Sequence, residues 1–182
     1  MKYVEKSIKE EYGPRMRKLT YAQGKRYCHI ADENGASLKY SLDFAQNIWK
    51  ERPEMSMESV FSLEDEYTGE KIGSKLERIR EMMKENGCNA HVLSSLDDIA
   101  WLLNIRGNDV PNNPVVISNV VVAEDKCYLF IDSTKVSKEI VLIIGAEGVE
   151  LKDYNEIEKF LQGLTANDTV IFDSSKTNIC LY

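Results

Sequence analysis

From Lys71 onward, helical and strand signals alternate without interruption, and that order restricts the chain to a mixed sheet covered by helices. Ile72, Leu76, Ile79, Met82 and Met83 fall at spacings of four, three, three and one, which places them on one helical face. Gly87 ends that helix as a left-handed cap. Ala90 to Leu93 reads as a buried strand, and Ser95 as the N-cap of a short helix reaching Leu103. Val115 to Ala123 and Cys127 to Ile131 are β-rich runs flanking the polar turn Glu124-Asp125-Lys126, the pattern of a hairpin. A helix near Ser137 to Ile144, a strand at Val149 to Lys152, a helix at Asn155 to Leu161 and a strand at Thr169 to Asp173 complete the series.

The N-terminal part is organised differently. Tyr3 to Tyr12 has helical spacing and is stopped by Gly13-Pro14. Thr20 and Gln23 have capping-box spacing, so a helix starts there and ends at Asn34-Gly35. Ser37 to Tyr40 suggests a short strand, and Leu42 to Trp49 a helix opening at Ser41. Residues 51–70 hold Pro53 and Gly69 with no sustained period, so they read as a linker, with Val60, Phe61 and Leu63 able to anchor it. A helix, Gly stop, strand and Ser-capped helix occur on both sides of this linker, an echo too generic to establish a repeat.

Composition excludes several functions. The chain has 182 residues and a net charge of −7, which opposes attraction to phosphate backbones, so no nucleic-acid partner is expected. Arg15, Arg17, Lys18, Lys25 and Arg26 read as a solvated helix face. The longest apolar run, Glu139 to Ala146, is too short to cross a bilayer, and the N-terminus lacks a secretory pattern, so a cytoplasmic protein without membrane contact is expected. Four scattered cysteines, Cys28, Cys88, Cys127 and Cys180, do not form a disulfide framework.

No catalytic set emerges. There is no G-x-S-x-G elbow, and the two histidines, His29 and His91, lie in a helix and a strand entry. Cys88 and His91 have C-x-x-H spacing, but structural zinc sites pair clearer clusters. Asp97 and Asp98 are explained by the preference of a helix start for acids. Gly145 to Gly148 lacks the lysine and the spacing of a phosphate loop. The stretch from Asp97 to Pro114 is harder to reduce to packing: a short apolar helix runs into a loop rich in Arg, Asp, Asn and Pro. Polar loops of this rigidity are common contact sites. Arg106, Asp109 and Asn113 are therefore candidate binding residues, or else ties of the loop to itself.

Ser95 to Gly107, followed by Asp109-Val110-Pro111 and Asn113-Pro114, resembles the signature of the second N-terminal domain of three-domain Xaa-Pro aminopeptidases (aminopeptidase P). Ile48-Trp49 with Arg52-Pro53, Tyr67-Thr68-Gly69 with Lys75-Leu76 and Ile79-Arg80, and Tyr128 to Asp132 extend the resemblance. Asn112 departs from the usual pattern. The resemblance implies a creatinase N-terminal, ribonuclease H-like α/β fold, with a mixed sheet carrying helices on both faces over 71–182. It implies a partial first domain over 1–50, so that the chain begins inside that domain and stops as the second ends. In the family, a further pita-bread domain holds two metal ions, usually manganese, on Asp, His and Glu, and releases the N-terminal residue preceding proline. No catalytic or metal-binding residue of this chain corresponds to that set, so a non-catalytic region inactive on its own is expected, without cofactor. The implied partners are the catalytic domain or a second copy, and proline-containing peptides only in a full enzyme. The alternative is a stand-alone peptide- or protein-binding module using the Arg106 to Pro114 loop.

Overall fold

The computed structural model describes residues 19–36, 49–51 and 56–181. The helix expected at 3–12, the strand at 37–40 and all but the last residue of the helix at 42–49 lie outside them, as do Arg15, Arg17 and Lys18. Within them, the first element is α1 (Tyr21–Glu33). The Thr20 hydroxyl accepts from Gln23 N and the Gln23 side chain accepts from Thr20 N, the reciprocal box read from the sequence.

The main body is a five-stranded mixed sheet. Its strands are β2 (Ala90–Leu93), β4 (Ser118–Ala123), β5 (Cys127–Ile131), β6 (Val149–Asp153) and β7 (Val170–Phe172), in the order β6-β5-β4-β2-β7. The expected hairpin is present as the antiparallel pair β4 and β5, with Val120 opposite Leu129. It begins at Ser118 rather than Val115, because Val115 and Asn113 are drawn into the preceding loop. β2 pairs antiparallel with β4 and parallel with β7, and β5 pairs parallel with β6. These parallel pairs need crossovers, which the intervening helices supply.

Helices cover both faces. One face packs beneath α3 (Ile72–Glu85), α4 (Leu96–Leu103) and α5 (Lys138–Ala146) in a core containing Leu76, Ile99, Leu102, Val120, Val122, Leu129 and Ile144. The alternate residues Val92, Val121 and Phe130 point to the other face, where Ile157 of α6 (Ile157–Gln162) meets them. β4 runs through the centre, so Ser118 to Val122 are buried in succession, the polar Ser118 and Asn119 included, and the apolar run Val120 to Val122 faces helices on both sides.

Two short elements were not legible as a pattern. β1 (Phe61–Ser62) pairs antiparallel with β3 (Ile105–Arg106), and a single turn, α2 (Asp65–Thr68), follows β1. Two-residue strands are too short to display any periodicity. Val60, read as an anchor, is buried in the main core, and its N–H donates to Lys135 O at 2.9 Å. No helix among the described residues is long and apolar enough to cross a membrane.

Candidate functional site

The loop from Asn104 to Ile117 is a hook tied down at every turn. Asn104 ends α4 in the left-handed region with φ 52°, a conformation Asn tolerates better than most residues. Its buried side chain donates from Nδ2 to Glu70 O at 2.9 Å and accepts at Oδ1 from Lys75 Nζ at 2.6 Å. Its carbonyl accepts from Leu63 N at 2.9 Å. Lys75 is only 1% exposed, its ammonium also donating to Trp101 O at 2.7 Å and lying 4.7 Å from the centre of the Trp101 ring. Trp101 itself stays exposed, with Arg78 approaching the same ring at 5.7 Å.

The three candidate residues occupy this hook in different ways. Arg106 turns back on its own chain, Nη1 donating to Ala100 O at 2.5 Å and to Ile105 O at 2.9 Å. Asp109 points inward: Oδ2 accepts from Ile117 N at 2.7 Å, and Oδ1 pairs with Lys135 Nζ, both side chains being at most 2% exposed. Asn113 Nδ2 donates to Asp97 Oδ1 at 3.1 Å, linking the loop to the first turn of α4. Between them, Asn112 takes φ 62°, and Pro111, Asn112 and Pro114 face outward. Gly107 sits so close to the returning strand that a Cβ there would be 3.1 Å from Val116 Cβ.

Two lysines completing this arrangement were not read from the sequence as interior partners, Lys75 having entered only through the family resemblance. Lys75 lies three residues after Ile72 and four before Ile79, on the apolar stripe of α3, and a cation at such a position is a readable sign of a buried partner. Lys135 sits in a single turn of 3-10 helix over Ser133–Lys135, where no local pattern distinguishes a buried lysine from an exposed one.

Burial pushes the pKa of Lys75 below its ordinary value, the Glu70 carboxylate opposing that effect in part. The folded state thus binds fewer protons than the unfolded chain in the interval between the lowered value and the ordinary lysine pKa. Stability contributed at this site therefore rises with pH through that interval. The expected result is that wild type gains stability relative to Lys75→Met as pH rises toward the ordinary lysine value of 10.5. Urea denaturation of both proteins at several pH values checks it, a flat difference being the contrary result.

The remaining chemistry-bearing groups are dispersed. His91 Nδ1 lies 3.1 Å from Ile171 O, and burial lowers its pKa, favouring the neutral ring. His29 faces Glu33 at 3.3 Å on the exposed side of α1. Burial pushes the Cys127 thiol up to about 12, which removes it as a nucleophile. Asp98 pairs with Lys176 at 3.1 Å, and that ammonium also donates to Ser95 Oγ at 3.3 Å. Among the described residues, no group of three or more His, Cys, Asp or Glu could hold a metal ion.

The profile of the creatinase/prolidase N-terminal domain matches residues 51–182. The chain belongs to this family. Xaa-Pro aminopeptidase 1 of Dictyostelium discoideum is 34% identical over 151 residues, covering 83% of this chain and 24% of that protein. Aminopeptidase P2 of Arabidopsis thaliana is 33% identical over 144 residues, covering 78% of this chain and 20% of that one. The crystal structure of X-prolyl aminopeptidase from Caenorhabditis elegans, described as a cytosolic enzyme with a di-nuclear active site, superposes with a TM-score of 0.83. It shares 29% identity and covers 89% of this chain and 28% of its own. The chain thus spans about a quarter of the length of these relatives. The creatinase-type mixed sheet expected from the signature is the architecture found.

Proposed function

We propose that this creatinase N-terminal domain serves as a non-catalytic part of an Xaa-Pro aminopeptidase acting in the cytoplasm. In this reading, residues 1–50 end a first domain of the same type, 51–70 connect the two, and 71–182 form the second. The domain packs against a pita-bread catalytic domain, which binds two metal ions and the proline-containing peptide, or against a second copy. Its role is to border the active-site entrance and support assembly. The observation carrying the proposal is the hook after α4: the residues of the family signature build a rigid, outward-facing loop whose polar side chains are committed to holding its shape. Arg106, Asp109 and Asn113 then act by presenting Pro111, Asn112 and Pro114 to the neighbouring domain.

The described residues do not fit a di-metal centre, so no hydrolytic step is assigned to them. Purified protein supplied with manganese is expected to release no N-terminal residue from an Xaa-Pro peptide above a buffer blank. Release that co-elutes with the protein and disappears on chelation would overturn the non-catalytic reading.

A further inference from the structure

Helix α1 is fastened to the sheet domain near one end. Tyr21 N–H donates to Thr177 O at 2.8 Å, Ala22 N–H to Ser174 O at 2.9 Å, and Ile179 N–H returns to Leu19 O at 3.0 Å. Tyr21 meets Phe172 edge-on, the ring centroids 5.3 Å apart. One turn further on, Gly24 is the buried residue of the helix. A Cβ at Gly24 would lie 2.2 Å from Ile179 Cδ1 and 3.2 Å from Ile179 Cβ, so the α1 backbone rests directly on that side chain and rotating it gives little relief. Beyond Gly24 the described side chains are only partly covered: Tyr27 is 45% and Ile30 44% exposed, while Cys28 and Ala31 are half-buried.

A 13-residue helix is marginal in water by itself, and glycine in its body weakens it further. Among the described residues, the hydrogen bonds and close packing that hold it come from a small contact with residues 174–181. Two residues of that segment, Thr177 and Leu181, line a cavity of about 370 Å³ whose other walls include Val92, Leu161 and Phe172. By contrast, β4 and β5 lie at the centre of the sheet and are almost wholly buried.

We infer that α1 is a strap that opens independently of the sheet, and that its release loosens residues 174–181 and widens the cavity beside them. Elements with few buried contacts open locally, whereas central strands open only with the whole domain. Hydrogen exchange followed by mass spectrometry on the whole chain tests this. In wild type, peptides covering 21–33 and 174–181 exchange at least about tenfold faster than those covering β4 and β5. Gly24→Val, which cannot seat against Ile179, raises exchange in 174–181 by a further factor of about ten, leaves β4 and β5 unchanged and increases the fluorescence of added anilinonaphthalene sulfonate. The inference is overturned if α1 and the central strands exchange together in wild type. It is also overturned if Gly24→Val leaves 174–181 unchanged, strips protection from every strand, or fails to fold.

Discussion

Replacing Asp109 by Ala destabilises the domain by about 3–5 kcal/mol, because it strands the Lys135 ammonium in the interior. The magnitude follows from burial: the Lys135 side chain is 2% exposed and that of Asp109 is fully buried, so water cannot replace the lost partner. The same change removes the acceptor of Ile117 N–H, which is needed where the loop turns into β4. Lys135→Met leaves the opposite charge buried and is expected to cost a similar amount. In the double variant neither charge remains, so its loss is smaller than the sum of the two single losses. Urea denaturation of the four proteins measures the coupling. Additive losses would show that the pair is not a unit. Circular dichroism confined to the secondary structure should change little in the variants that fold, since the pair fixes the hook rather than the sheet.

Phe130→Ala is expected to cost about 3–5 kcal/mol, through lost burial and the cavity it leaves. Phe130 is fully buried on the sheet face opposite α3, α4 and α5, where its ring lies 5.4 Å from that of Phe160. This second core has four buried members among the described residues, Val92, Val121, Phe130 and Ile157, against the much larger cluster on the first face. Phe130 is the largest of the four, and the short α6 above it offers little to collapse into the space. Thermal and urea midpoints measure the loss, and a change below about 1 kcal/mol would mean that the face is not packed as described. Leu129, one residue earlier, points to the other face, so the two neighbours test separate cores.

Much of the architecture was readable because its causes are local. The apolar stripe of α3, the capping box of α1, the polar turn between β4 and β5 and the alternation of elements from Lys71 all arise from interactions within a few residues. The crossovers implied by that alternation also restricted the sheet to a mixed one. Strand order was less accessible: β2 lies between β4 and β7, and β7 follows it by almost eighty residues. Nothing in either strand specifies its partner, since pairing is decided by which faces are buried once the helices have packed.

The hook after α4 shows the same division. Arg106, Asp109 and Asn113 could be singled out in the sequence because a cluster of Asn, Asp, Arg and Pro beside an apolar helix is unusual, and the signature identified the family. The buried partner of Asp109 could not be read, because Lys135 lies 26 residues away, and neither could the ties of Asn104 to Lys75 and Glu70, 29 and 34 residues away. By itself the sequence determined the family, the order of the main helices and sheet strands from Lys71 and the absence of a recognisable catalytic motif, all of which depend on residue types at short spacing. The tertiary structure alone decided that Lys75 and Lys135 are interior cations, that Asp109 holds the loop from within, and that Gly24 seats α1 on Ile179. Each of those depends on long-range contact that removes water from a charge or leaves no room for a side chain.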